Sequence, residues 1–286
     1  MKHPFKMVVL LFVFFSLHTF AQDAAITPEK YTAHNKGKFY VYWGGNRAHY
    51  TKSDVRFQGD NYDFTLDNIT AHDKPKGYHI DYINPARMTI PQTNLRFGYF
   101  ITDKYNVSIG VDHMKYVMDQ DKFANMNGYI NQPAGTPGAA FNGVYTDYQR
   151  FLSEDFLTYE HTDGLNYLNV EIARVDDFTK LLFDWDTDNI QLNFTEGVGA
   201  GILYPKTNTK LLGMDRHDDF HISGFGLSAK AGLNITFLKY FFVQTELKGG
   251  YINMQDIRTT RSSSDKASQD FFFLQTNLVF GGIFRI

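Results

Sequence analysis

The sequence predicts an all-β chain, a transmembrane antiparallel up-and-down β-barrel of eight strands with long extracellular loops. Three observations predict it. Aromatic residues make up 16% of the 286 residues, with 27 Phe, 18 Tyr and 2 Trp. Yet beyond the N-terminal stretch no apolar run approaches the roughly 18 residues that a spanning helix needs. Eight segments of about ten residues instead alternate apolar with polar or small residues, the pattern of strands that meet lipid on one face only.

The N-terminus reads as an export signal. Lys2 and Lys6 form a basic start, Met7 to Phe20 is apolar, and Thr19 and Ala21 are the small residues a signal peptidase reads. The apolar run is too short for a comfortable membrane anchor. Cleavage after Ala21 removes two lysines, so the formal net charge of −3 becomes −5 in a mature chain that starts at Gln22. Without a clustered basic face, the sequence offers no nucleic-acid partner. With no cysteine, it can form neither disulfides nor a cysteine zinc site.

The strands follow in order after a short periplasmic segment, 22–37. In the first, about Lys38 to Tyr50, Phe39, Val41 and Trp43 alternate with Tyr40, Tyr42 and Gly44. The second, Thr93 to Ile101, sets Leu95, Phe97, Tyr99 and Ile101 against Asn94, Arg96 and Gly98. A tight hairpin through Thr102-Asp103-Lys104 leads to the third, Tyr105 to Val117, where Val107, Ile109 and Val111 oppose Asn106, Ser108, Gly110 and Asp112. The fourth, Leu165 to Val175, has Leu168, Val170 and Ile172 opposite Asn169, Glu171 and Ala173. In the fifth, Ile190 to Tyr204, Glu196 interrupts an otherwise apolar face, a costly place for a carboxylate near the bilayer midplane. The sixth, Phe220 to Phe237, keeps an unbroken period from Phe225 to Ile235. The seventh, from Phe241, puts Val243 and Leu247 opposite Phe242, Gln244, Glu246 and Lys248, and the eighth runs to Ile286 at the chain end.

Proline and loop length support this reading. All eight prolines (4, 28, 75, 85, 91, 133, 137 and 205) fall outside the eight strands, as they must where every N–H serves a closed ladder. Links after the even-numbered strands are short or moderate. Those after strands 1, 3, 5 and 7 are longer, about 51–92, 118–164, 205–219 and 255–269. That asymmetry is expected of periplasmic turns and outer loops. A soluble β-sandwich accounts for the alternation but not for the asymmetry.

Residues 37–286 resemble the small outer-membrane barrels of the OmpA, OmpX and OmpW type, and the Phe-Ala-Gln cleavage region with aromatic-rich strands looks like versions from Bacteroidota. The resemblance implies an integral outer-membrane location, contact with outer-membrane lipids and lipopolysaccharide, and insertion by the barrel-assembly machinery. Such barrels end in an aromatic residue, whereas this chain ends Phe284-Arg285-Ile286. No peptidoglycan-binding tail is expected after strand 8.

If apolar faces meet lipid, the opposite faces place Arg96, Asp112, Glu171, Lys230, Glu246 and Lys248 in the lumen, three basic and three acidic. An eight-stranded barrel is only wide enough for side chains to fill it, so these six should pair, with Tyr40 and Tyr42 filling space beside them. Asp112 and His113 point to opposite faces and form no dyad. His221 and Ser223 share an outward face at i and i+2, similar to the His-x-Ser pair of the lipid A 3-O-deacylases. Opposite them strand 7 offers Tyr251, Asn253 and Gln255, and no carboxylate to orient the histidine.

Loop 1 alternates on both sides of Gly59-Asp60, which suggests strands continuing above the membrane. Loop 2 carries seven acidic residues (Asp119, Asp121, Asp147, Glu154, Asp155, Glu160 and Asp163) against Lys122 and Arg150, and should be irregular around 131–138. No Asp-x-Asp-x-Asp-Gly spacing marks a calcium site, so the acids are expected to be solvated surface, and no cofactor or metal is expected. The expected role is non-enzymatic, structural or in cell-surface interaction through the outer loops with an unidentified partner. A narrow channel for ions or small solutes and a lipid-modifying enzyme are the competing readings.

Overall fold

A computed structural model describes residues 29–77, 79–80 and 91–286. The predicted signal peptide and prolines 4, 28 and 85 lie outside them. The described residues form sixteen strands: β1 (Phe39–Tyr50), β2 (Ser53–Gly59), β3 (Tyr62–Ile69), β4 (Ala71–His72), β5 (Thr93–Phe100), β6 (Tyr105–Met114), β7 (Val117–Met118), β8 (Phe123–Ile130), β9 (Gly143–Phe151), β10 (Leu157–Glu160), β11 (Leu165–Asp177), β12 (Ile190–Leu203), β13 (Asn208–Leu211), β14 (Gly224–Phe237), β15 (Phe241–Arg258) and β16 (Lys266–Phe284). None contains a described proline, and no helix among the described residues is long and apolar enough to cross a membrane.

Eight of these strands close into a ring in the order β1-β5-β6-β11-β12-β14-β15-β16, with β16 pairing back onto β1. Each neighbour is antiparallel and next in the chain among the ring strands, so the topology is up-and-down. The closing seam pairs Phe39 with Phe284 and Tyr50 with Phe273. Closure leaves no open edge in the ring, which is what lets a sheet cross a bilayer.

Alternation then sorts side chains. Ile109, Val170, Ile172, Val198, Leu227, Leu233, Leu247 and Leu278 stand exposed on the outer wall. Near the short turns this aliphatic band is edged by Phe39, Tyr99, Tyr105, Phe237, Tyr240 and Phe241, and near the long connections by Tyr204, Phe220, Phe225 and Phe272. An apolar belt between two aromatic girdles is the surface a membrane-spanning barrel presents to lipid. Inside, Gly98 has no Cβ because one would lie 2.2 Å from the ring of Tyr40, which fills the lumen beside it.

At the end opposite the short turns the chain does not trail off into loops. β15 and β16, 18 and 19 residues long, continue beyond the ring, and β16 then pairs with β2. The β2–β3 hairpin pairs in turn with β8, and β8 with β9. A second sheet, β13-β10-β7-β4, assembles from short pieces of the other connections. Between them lies an apolar core that includes Phe57, Phe64, Leu66, Met126, Phe156, Leu157, Tyr159 and Ile257, all nearly inaccessible to solvent. Phe57 stacks on Phe64 with centroids 5.3 Å apart, and Tyr116 on Phe271 at 5.2 Å. The described parts of the long connections are therefore one folded cap.

Several boundaries differ from the sequence reading. The seventh and eighth strands extend to Arg258 and back to Lys266, so the expected last loop at 255–269 shrinks to the few residues between them. The sixth begins at Gly224 instead of Phe220, because Phe220 joins only an isolated bridge to Lys206 and His221 donates its N–H to the carbonyl of Pro205. The hairpin expected above the membrane in loop 1 is present as β2–β3, and 131–138 is irregular except for the start of a 3-10 turn at Pro137–Phe141.

Candidate functional site

All six predicted lumen charges point inward and are buried. They sit on five strands: Arg96 on β5, Asp112 on β6, Glu171 on β11, Lys230 on β14, and Glu246 and Lys248 on β15. Glu171 is the hub. It meets Arg96 at 2.9 Å, Lys230 at 2.8 Å and Lys248 at 2.6 Å. Lys230 also bonds Glu246 at 2.8 Å, Lys248 bonds Asp112, and Arg96 stands 3.8 Å from Asp112. Three cations thus face three anions, and the cluster is neutral.

Neutral residues of the same inward phase complete the shell. The Arg96 guanidinium donates to Tyr42 Oη at 3.0 Å, to Ser108 Oγ at 3.2 Å and to Asn169 Oδ1 at 2.7 Å. Asp112 accepts from Asn94 at 2.6 Å and Asn169 at 3.0 Å, and Glu246 from Gln244 at 2.6 Å and Asn277 at 3.1 Å. Desolvation makes unpaired charges in such a place very costly, and dense pairing offsets that cost. The sequence places Asn94, Asn169 and Gln244 on the inward faces, but alternation alone does not show that they join the charge network. The arrangement sets these side chains across the middle of a ring whose interior is only wide enough for side chains to fill.

Glu196 stands on the outer wall opposite Arg174, as the alternation implied. Arg174 gives its guanidinium to Asp176 at 2.6 Å, and Asp176 also meets Lys104 at 3.1 Å, so the outer-wall charges form a short string toward the turn end.

The His221 and Ser223 expectation needs two corrections. The residues precede β14, and Ser223 is only 3% exposed, so they do not share a lipid-facing strand surface. Moreover, a carboxylate does face the histidine: Asp256 Oδ2 lies 2.8 Å from His221 Nε2. Asp256 escaped the sequence reading because β15 carries a register irregularity between Met254 and Ile257, which strict alternation cannot count. The Ser223 hydroxyl donates to the backbone carbonyl of His221 at 3.3 Å instead of approaching the imidazole. His113, behind Asp112, bonds Asn166 at 2.7 Å.

In the cap, several loop 2 acids are paired and not merely solvated, because the cap brings other connections beside them. Asp119 accepts from Lys122 at 2.8 Å, from His72 at 2.6 Å and from Thr70. Burial raises the Asp119 carboxyl, but these bonds outweigh it and hold it down to about 2. Glu160 accepts from Asn208 at 2.7 Å, and Asp163 faces Lys206 at 3.6 Å. No group of acids and histidines among the described residues has metal-ligand geometry.

The cap ends in β9, which pairs on one side only. On and beside it Phe123, Tyr129, Val144, Tyr148 and Phe151 are exposed, Val144 to 85%. The Arg150 guanidinium lies 4.9 Å from the ring centroid of Tyr148 and 5.0 Å from those of Tyr145 and Phe156.

The chain is a small membrane-spanning β-barrel of the outer-membrane type. The closed ring, the girdled belt and the filled lumen carry that statement. No family model matches the sequence, and no curated protein does either. Among solved structures, the outer membrane protein OprG from Pseudomonas aeruginosa aligns with 89% of this chain and 99% of its own at 12% identity and a TM-score of 0.39. Ail, the attachment invasion locus protein of Yersinia pestis, aligns with 85% and 99% at 11% identity and a TM-score of 0.30. Neisserial surface protein A aligns with 84% and 98% at 11% identity and a TM-score of 0.27. Likenesses this distant transfer no role to any residue here.

Proposed function

We propose that the protein is exported, cleaved after Ala21 and inserted in the outer membrane as a non-conducting, non-enzymatic barrel that presents its cap for interaction at the cell surface. The observation that carries this reading is the cap itself. Loops that merely join strands need no apolar core, whereas this one encloses aromatic residues and leaves an unpaired edge flanked by exposed rings. Exposed apolar groups in water at a sheet edge are a liability unless a partner covers them. The neutral plug supports the non-conducting part, and the Ser223 hydroxyl turned onto a backbone carbonyl supports the non-enzymatic part.

The test is surface crosslinking on intact cells followed by mass spectrometry, with wild type compared to a variant carrying Ser at Phe123, Tyr129, Tyr148 and Phe151. Loss of crosslinked partners with the barrel still assembled is the expected result. An unchanged partner set would overturn the assignment to this edge, and large stable currents in planar bilayers would overturn the non-conducting part.

A further inference from the structure

The lumen is filled at its middle but not at the end where the short turns lie. Between the charge cluster and that end is a chamber of about 50 Å³, well above the roughly 10–15 Å³ that one water needs on the same measure. Thr32 and Asn35, on the segment that precedes β1, line it toward the turn end. Thr32 is tied to Asp188, its backbone N–H bonding Oδ1 at 3.0 Å and its hydroxyl the same oxygen at 2.9 Å.

The lining is one-sided in charge. Asparagine, glutamine, threonine, tyrosine and lysine side chains face it beside an apolar part of the wall that includes Phe100, Val175, Phe242 and Ile283, and none of the lining residues is acidic. Of its three lysines, Lys230 is neutralised by Glu171 and Glu246, and Lys239 by Asp188 at 3.1 Å. Lys38 differs. It is 1% exposed, its ammonium donates to the Tyr31 carbonyl at 2.8 Å and Asn35 Oδ1 at 3.0 Å and lies 4.0 Å from the centroid of the Tyr31 ring, and it has no ion-pair partner among the described residues. The nearest carboxylates are engaged elsewhere, Asp188 by Thr32 and Lys239, Asp103 by His34 and the Lys36 N–H. A second wall group lacks any partner: the hydroxyl of Thr195, buried within the lumen, has no hydrogen-bond partner among the described residues. A buried ammonium without a counter-ion and a buried hydroxyl without a partner, both facing one cavity, are costly unless something fills it.

We propose that this chamber binds a small oxyanion of the phosphate class, entering from the turn end and held by the Lys38 ammonium and the Thr195 hydroxyl. The central cluster is neutral and does not cancel the Lys38 charge. An anion would complete the ion pair that the chain itself leaves open, and no carboxylate lines the cavity to repel it. A cation would meet the Lys38 ammonium with no carboxylate beside it to offset the repulsion. An apolar guest would leave both polar groups unpaired.

The probe is inorganic phosphate, measured by equilibrium dialysis on detergent-solubilised full-length barrel, with Lys38→Met and Thr195→Val as variants. Retained heat-shift on SDS gels shows each variant is assembled. Saturable binding is expected for wild type, at least about tenfold weaker for Lys38→Met because a charge-assisted bond is lost, and weaker but measurable for Thr195→Val. Titration of wild type with chloride and sulfate in competition keeps the test independent of the variants; sulfate should displace phosphate more effectively than chloride. Absence of saturable binding by wild type at millimolar phosphate, or equal binding by assembled Lys38→Met, overturns the proposal.

Discussion

Replacing Glu171 by glutamine isolates the energetics of the plug. The substitution preserves shape, removes one negative charge and takes the cluster from neutral to a net +1 in the middle of the barrel. Breaking a buried pair by removing one partner costs about 3–5 kcal/mol, since the remaining charge stays buried and uncompensated. Here the loss is moderated by what remains. Lys230 keeps Glu246 at 2.8 Å, Lys248 keeps Asp112, and Arg96 still reaches Asp112 at 3.8 Å. The expectation is therefore the lower end, about 3 kcal/mol, more than a hundredfold in the folded-to-unfolded ratio. The assay is urea unfolding of barrel refolded into lipid vesicles, followed by tryptophan fluorescence. Glu171→Gln combined with Lys230→Gln restores neutrality and should recover at least about 1 kcal/mol of the loss. A single variant within about 0.5 kcal/mol of wild type, or a double variant worse than the sum of its parts, would refute the view that pairing in the lumen holds the barrel closed.

Three further outcomes are expected. Phe64→Ala should cost the cap about 3–5 kcal/mol by opening a cavity at the centre of its core and should admit protease to 53–72, while the heat-shift of the barrel is retained. His161 is wholly buried in the cap, and burial holds its imidazole down to about 3 from 6.5, so it is neutral when folded. Its contribution is complete above pH 6.5 and drains away as the pH falls toward 3, so cap opening measured by hydrogen exchange should become easier by about 2 kcal/mol at pH 5, and His161→Gln should flatten that slope. Ser223→Ala should leave the lipid A mass spectrum of the cells unchanged; acyl loss that depends on both His221 and Ser223 would reverse the non-enzymatic reading.

The barrel was legible because its physics is periodic. Lipid outside and packed polar groups inside force a two-residue alternation, and every ring strand, from Phe39 to Phe284, carries it. The six lumen charges were legible for the same reason. What escaped depends on breaks in the period or on contacts between distant connections. Asp256 reaches His221 through an irregular stretch of β15 that no alternation count locates. The cap sheet of β4, β7, β10 and β13 is built from strands of 2–4 residues, too short for any local pattern, and only the pairing of Thr158 with Lys210 or His72 with Val117 reveals them as one sheet. Lys38 looked like an ordinary flanking lysine, because nothing in its neighbours along the chain shows that the segment at Tyr31 folds over it.

Plug and cap solve different problems, and the difference bears on what the cap is for. If the lumen were open, a cap over it would be read as a gate. On the proposed non-conducting reading the lumen is already closed below the cap by Arg96, Glu171, Lys230 and Lys248, so covering the outer mouth adds no barrier that the barrel lacks. A second apolar core above a sealed barrel must then be accounted for by what it displays. Its interior fixes β9 and the exposed rings of Phe123, Tyr148 and Phe151 in a defined geometry, at the point farthest along the sheet from the ring strands. Holding aromatic groups rigid before contact lowers the ordering cost that a flexible loop would incur on binding. Loosening the cap through Phe64→Ala should therefore weaken surface contacts even though the substitution touches none of the exposed residues, and should do so without altering conductance.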